Sequence, residues 1–381
     1  MGSDFIYLDY NATTPLDKRV MEYMLPYFDV RYANPNSPHL FGLTVRELVD
    51  EATENMASCI GARAKNIIYT SGATEAVNLA LKGLHVGEKK HIITVSTEHS
   101  AVLDTCSFLE TLGYAVTYLP VDAFGMVELS ALEEAITEQT LLVSVMLANN
   151  ETGVLHPVKR ITQIAHKKDT FVLCDATQAV GKIPVDVKEL GVDMMAFSAH
   201  KFYGPKGIGA LYLSDTARKV VTTQLHGGKQ QQGMRSGTLN VPAILGMQKA
   251  LEIANAEMLL ETRRIQQLRD LLEEGLLSIS DTFISGHTEN RLHTTSNIAF
   301  LGTQSEQLIL NLGSICVSSG SACTSTVTRP SHVLTAMGLS DADGLSALRF
   351  SVGRFTTQEE IEKTIDAIKS TVNRLRNGRL F

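Results

Sequence analysis

Along the first two thirds of the chain, short apolar runs alternate with longer stretches whose apolar positions recur at helical spacing. Asn66-Ile67-Ile68-Tyr69 predicts a short buried strand, and Thr70-Ser71-Gly72-Ala73-Thr74 leads from it into Glu75 to Leu81, which predicts a helix. The same order recurs at His91-Ile92-Ile93-Thr94-Val95, followed by a helix with Val102, Cys106 and Leu109 on one face, then at Leu141 to Leu147 and at Thr170 to Cys174. Uninterrupted apolar strands separated by helices predict an α/β fold with a large, mainly parallel sheet covered on both faces. Ligands are then expected beyond the carboxyl ends of its strands.

Near Gly246 the texture changes to a long charged helix in which Met258, Ile265, Leu268, Leu272 and Leu276 line one side. Asn297 to Phe300, Ser314 to Val317 and a final helix from Gln358 to Leu375 predict a smaller α/β lobe. The expected division is a large domain over 16–250 and a small domain from 1–15 with 251–381.

At 381 residues, with 44% hydrophobic and 20% charged, the chain can bury a core too large for one lobe, and no run is apolar enough for a membrane span. A net charge of -7 argues against a nucleic-acid surface as the main business. Met1-Gly2-Ser3-Asp4 opens no leader pattern, so a cytoplasmic location is expected. The five cysteines (Cys59, Cys106, Cys174, Cys316 and Cys323) form no CxxC pair and no zinc spacing with histidine. Their odd number leaves a thiol without an internal partner.

Four stretches can carry chemistry. Ser198-Ala199-His200-Lys201 places a hydroxyl, an imidazole and an amine before the turn Gly204-Pro205-Lys206-Gly207. Lys201 reads either as a surface lysine or as an amine that forms a Schiff base with a carbonyl cofactor once desolvated. Asp175 follows a buried strand, where it can cap a helix or keep a pyridinium nitrogen protonated, the condition under which pyridoxal phosphate (PLP) withdraws electrons. Ser71-Gly72-Ala73-Thr74 brings small residues and a helix N-terminus to one place, as anion binding requires. His99 follows the strand ending at Val95 and reads as structural or catalytic. In Ser318 to Ser325, small polar residues surround Cys323 and predict a wet loop bearing a nucleophilic thiol; Cys316, between Ile315 and Val317, reads as buried and inert, as do Cys59, Cys106 and Cys174.

Taken together and in order, these motifs resemble those of the NifS/IscS-like cysteine desulfurases, in the class V aminotransferase group of fold-type I PLP enzymes. Leu8 to Pro15, Thr70 to Glu75, Thr97-Glu98-His99, Ala148 to Glu151, Asp175 to Gln178, Ser198 to Lys201, Gly233 to Thr238, Ser318 to Ser325 and Arg349 to Arg354 carry the likeness over nearly the whole chain. The resemblance implies that Lys201 links to PLP and that Asp175 pairs with the pyridine nitrogen. Asn150 and Gln178 then lie near the ring hydroxyl, and His99 stacks on the ring. Ala73, Thr74, Ser198 and His200 hold the phosphate, with Thr238 reaching over from the second subunit of a homodimer. Arg349 grips the carboxylate of the substrate, L-cysteine. Cys323 takes the sulfur as a persulfide and passes it to a protein acceptor.

An iron–sulfur scaffold, a tRNA-thiolation relay, a DNA phosphorothioation complex and a cofactor pathway are all open as destinations, with no direct nucleic-acid or membrane partner and no metal site expected. The neighbouring readings are a selenocysteine lyase and a catalytically silent scaffold on the same fold. Two features depart from the pattern. Gly227-Gly228-Lys229-Gln230-Gln231-Gln232 lacks the acid and the base found there in many relatives, and the chain ends at Leu380-Phe381 without the longer docking tail of IscS-type members.

Overall fold

A computed structural model describes residues 5–319 and 329–378. Among these described residues twelve strands follow in chain order: β1 (Ile6–Tyr7), β2 (Ile67–Thr70), β3 (His91–Val95), β4 (Ala115–Leu119), β5 (Thr140–Met146), β6 (Phe171–Asp175), β7 (Met194–Ser198), β8 (Gly209–Leu213), β9 (Thr282–Ile284), β10 (Thr295–Phe300), β11 (Ile315–Cys316) and β12 (Ala347–Ser351). Seven of them form one sheet in the order β2-β8-β7-β6-β5-β3-β4. Only β8 runs against the others. The strand order reverses between β3 and β5, so the loops leaving these two strands part in opposite directions and leave a crevice at their carboxyl ends.

Alternate residues of the central strands feed two cores. Val172, Cys174, Met195 and Phe197 face one layer of helices, while Leu173, Met194, Ala196 and Leu211 face the other. Being buried on both faces, these strands read as unbroken apolar runs. The helix Ala73–Gly83 and the helix Ser100–Thr111 cover the second face, the latter through Val102, Cys106 and Leu109.

The helix Val241–Leu277 has 37 residues, a length of roughly 55 Å at 1.5 Å per residue. Residues up to Ala254 pack in the large-sheet core, and residues from Ile265 onward pack in a separate core with Leu8, Ile298, Phe300, Phe350 and the helix Gln358–Arg376. The second core is built on the antiparallel sheet β12-β10-β9 and the parallel pair β1-β11. From β1 the chain crosses to the large sheet: Asn11 N–H donates to Ser351 Oγ at 2.9 Å and Thr14 N–H to the His200 carbonyl at 3.0 Å. This crossing brings the segment 11–14 against the loops after β6 and β7.

Candidate active site

The carboxyl ends of β2, β3, β5, β6 and β7 surround a cavity of about 690 Å³, closed on one side by Arg349 of β12 and by Asn11, Ala12 and Thr13. Ala73, Thr74, His99, Asn150, Asp175, Gln178, Ser198, His200, Lys201 and Arg349 all line it. Thr238 is exposed and does not line the cavity of its own chain, and Cys323 lies outside the described residues.

Lys201 sits in the 3-10 turn Ala199–Lys201 directly after β7, and its amine donates to the carbonyls of Asn11 at 2.6 Å and Ala12 at 2.8 Å. The surface-lysine alternative is not realised. Desolvation lowers its pKa to about 8, with the Arg349 charge adding to the effect and Asp175 and Asp9 opposing it.

Asp175 closes β6. The residues directly after it form a turn and not a helix, so it is no helix cap; Oδ1 instead accepts the Thr177 N–H at 2.9 Å. Beside it Glu98 is 0% exposed, and burial together with the Asp175 charge pushes its carboxyl well above the usual range. Asp175 is the second carboxyl of the cavity floor and lines the cavity itself. His99 has the structural role: Nδ1 accepts the Ala101 N–H at 3.0 Å, capping the helix Ser100–Thr111, and the residue also lines the cavity. That bond leaves the proton on Nε2. Desolvation lowers the pKa of His99, partly offset by Asp175.

The helix Ala73–Gly83 starts at Gly72 with no side-chain cap, so its first N–H groups point into the cavity unpaired by any helical carbonyl. Gly209 on β8 is what lets this turn sit so low. A Cβ at 209 would meet the Gly72 backbone at 2.7 Å. Ser198 lies beside this turn, its Oγ 3.7 Å from where a Cβ on Gly72 would sit, and Thr74, His200 and Lys206 line the same cavity. His200 pairs through Nδ1 with Thr13 Oγ1 at 3.1 Å, and burial and the charges of Lys201, Lys206 and Lys182 lower its pKa to about 4. Glu75, also in the lining, is taken up by Arg235 at 2.8 Å.

Arg349 is 6% exposed. It donates to Asp9 Oδ1 at 2.6 Å and to the Asn150 carbonyl at 3.0 Å, and its Nε is buried without a partner among the described residues. An unpaired guanidinium N–H, an uncapped helix N-terminus and the amines of Lys201 and Lys206 in one cavity call for anionic ligands, while Asp175 calls for one cationic group. PLP together with an amino acid meets each of these demands: a phosphate, a protonated ring nitrogen, an aldehyde and a carboxylate.

Asn11, Lys182 and Lys206 were not singled out by motif reading. Asn11 and Lys206 lie inside quoted motifs, which is the one signal they carried, and Lys182 shows only by its position four residues after Gln178. Two expectations for the cysteines need correction. Cys316 and Cys59 are partly exposed rather than buried, because β11 is a two-residue strand with an open face and Cys59 is the last residue of the helix Leu40–Cys59. Burial raises the pKa of both, and holds Cys106 at about 12 and Cys174 well above its usual range. The unusual Lys229–Gln232 stretch is a set of structural ties. Gln231 pairs with the Tyr69 N–H and carbonyl at 2.6 and 3.0 Å, sealing the edge of β2, and Gln232 Oε1 accepts from Arg218 at 2.8 Å. None of these residues lines the cavity.

Comparison with known proteins agrees with this geometry. The Aminotransferase class-V family matches residues 6–364. The chain is 47% identical to a cysteine desulfurase IscS of Rickettsia bellii over 377 residues, covering 98% of this chain and 92% of that protein. It is 49% identical to the same enzyme of Glaesserella parasuis over 379 residues, covering 97% and 93%. A solved NifS-like protein superposes with a TM-score of 0.91 at 38% identity, covering 97% of this chain and 99% of that one. The chain thus belongs to the class-V aminotransferases, PLP enzymes of fold-type I. Within that family it is a cysteine desulfurase of the IscS and NifS-like kind. Among the described residues no helix is long and apolar enough to cross a membrane.

Proposed function

We propose that the enzyme takes sulfur from L-cysteine, releases L-alanine and carries the sulfur as a persulfide on Cys323 to a protein acceptor, as a homodimer in the cytoplasm. The observation that carries this reading is the convergence of Lys201, Asp175, His99 and Arg349, from β7, β6, β3 and β12, on a single cavity with an anion cradle at one end.

The N–H groups of Ala73 and Thr74, the Thr74 and Ser198 hydroxyls and His200 hold the phosphate, joined by Thr238 of the second subunit. Asp175 would keep a proton on the ring nitrogen, Gln178 and Asn150 would meet the ring hydroxyl, and His99 would lie against the ring. When bound there, PLP would supply an electron sink for the α-carbon of the substrate, the condition under which the β-substituent can leave. Arg349 fixes the substrate carboxylate. With a pKa of about 8, roughly a tenth of the Lys201 amine is unprotonated at pH 7, so Nζ can take the α-proton and later return one to carbon. The Cys323 thiolate attacks the substrate sulfur. An S–S bond forms as the C–S bond breaks, and the electron pair of the broken bond goes to the carbon side and ends, protonated, in alanine.

The homodimer is supported by Thr238, exposed on its own chain, and by exposed Leu25, Phe28, Val30, Tyr32 and Leu40 near one another in sequence, an apolar surface that a second copy would cover. The four cysteines among the described residues are free thiols, which fits a reducing compartment. In this reading residues 16–250 bind the cofactor, and 1–15 with 251–381 carry the cysteine segment. The test is to load the enzyme with L-cysteine, alkylate the persulfide and map it by mass spectrometry. It is expected on Cys323; a label on Cys316 would overturn the assignment. Cysteine turnover untouched by Cys323→Ala would favour a selenocysteine lyase.

A further inference from the structure

Lys182 takes no part in the mechanism, yet it lines a small void with Tyr10, Lys201, Tyr203 and His293, and its hydrogen-bond partners Gln178 and Asn11 line the active-site cavity. Its amine donates to Gln178 Oε1 at 2.6 Å and to Asn11 Oδ1 at 3.2 Å, and among the described residues it has no carboxylate partner. The charged groups facing it are Lys201 and Arg349, which oppose its charge, and it in turn acts on His200 and His293. A lysine placed among cations, with two amide oxygens as its acceptors, is poorly explained as a stabilising ion pair.

Its effect on those amides is definite. A carboxamide has an oxygen that accepts and an NH₂ that donates, and whichever end a neighbour binds settles where the other end points. With Oε1 held by Lys182, the Gln178 NH₂ donates one N–H to the Asn11 carbonyl at 2.9 Å, which leaves its second N–H for the cavity that Gln178 lines. Asn11 is oriented likewise: its Oδ1 faces Lys182, and its Nδ2 donates to the Asn150 carbonyl at 3.1 Å and to Thr295 Oγ1 at 2.9 Å. The Asn11 backbone carbonyl is also the 2.6 Å acceptor of the Lys201 amine.

We propose that Lys182 is a positioning residue of the cofactor site. Held between the Gln178 and Asn11 side-chain oxygens, it presents the Gln178 N–H to the cavity and steadies the carbonyl on which Lys201 rests. This deepens the reading above, since it rests on Gln178 meeting the ring hydroxyl. A donor at that oxygen stabilises its deprotonated form and lowers the pH at which the visible absorbance of the bound cofactor changes. Without Lys182 the carboxamide is free to turn and offer an acceptor there instead.

The test is a pH titration of visible absorbance on purified holoenzyme for the parent, Gln178→Met, Lys182→Met and the double variant. Gln178→Met is expected to raise the midpoint by about one pH unit or more, as loss of one hydrogen bond to a charged oxygen does. Lys182→Met is expected to move it the same way, and the double variant no further than Gln178→Met alone. A parental midpoint in Lys182→Met beside a raised one in Gln178→Met overturns the proposal and spares the Gln178 reading. An unmoved Gln178→Met overturns both. If Lys182→Met does not retain cofactor, Lys182→Gln, with a shorter N–H donor, decides: a smaller upward shift supports the proposal and no shift overturns it.

Discussion

Glu98→Gln isolates the electrostatics of the cavity floor. Glu98 is fully buried; Oε1 accepts the Met146 N–H at 2.5 Å and Oε2 has no partner among the described residues. Burial, then the nearby Asp175 charge, raises its pKa well above 4.5, against the smaller opposing effect of the Met146 bond. An acid raised in this way contributes its full stability below the unfolded value. It loses that contribution as pH climbs toward the folded one, at up to about 1.4 kcal/mol per pH unit for one proton. Glutamine copies the neutral acid, its oxygen taking the Met146 N–H and its NH₂ standing where the acid O–H was, but it has no proton to lose. The variant should match the parent near pH 4.5 and become steadily more stable than it above that, by about 1.4 kcal/mol per unit until the folded pKa is passed. Urea unfolding of both holoenzymes at fixed PLP concentration, at several pH values from 5 to 8, measures the gap. A gap that does not widen, or a variant weaker than the parent at neutral pH, would mean that Glu98 is ionised in the native enzyme.

Two further substitutions probe the ends of the cavity. Arg349→Lys keeps the charge but loses the planar fork, so KM for L-cysteine should rise roughly 10- to 100-fold with a smaller change in kcat, the cost of one or two charge-assisted hydrogen bonds. An unchanged KM in steady-state alanine release would remove Arg349 from substrate binding. Gly209→Ala drives a methyl into the Gly72 backbone and the Phe197 carbonyl, both 2.7 Å from its position, where neither can yield cheaply. The displaced anion turn should cost about 1–3 kcal/mol, read as weaker PLP retention on dialysis; parental retention would show that the turn does not need its present depth.

The sequence makes some of this molecule plain and hides the rest for identifiable reasons. Strands β3, β5 and β6 are legible because burial on both faces leaves unbroken apolar runs. The edge strand β4 has two exposed and two half-buried residues and gives no such run. Strand β8 opens on Gly209, and its reversed direction depends on pairing with β7 and β2, which periodicity along one segment does not encode. In the helix Val241–Leu277 the stripe of the second half is visible, while the first half is buried nearly all round and shows no stripe. Residues with family motifs stand out by their chemistry: Lys201, Asp175 and His99. The ties that position them, Asn11 to Lys201 and Lys182 to Asn11, join residues 190 and 171 positions apart and exist only once the chain crosses between its two cores.

In the proposed enzyme one particular amine, the one resting on the Asn11 and Ala12 carbonyls, is the group that holds PLP. Borohydride reduction of the holoenzyme, digestion and mass-spectrometric location of the reduced adduct test it directly. The modification is expected on Lys201 alone; an adduct on Lys182 or Lys206 would contradict this assignment.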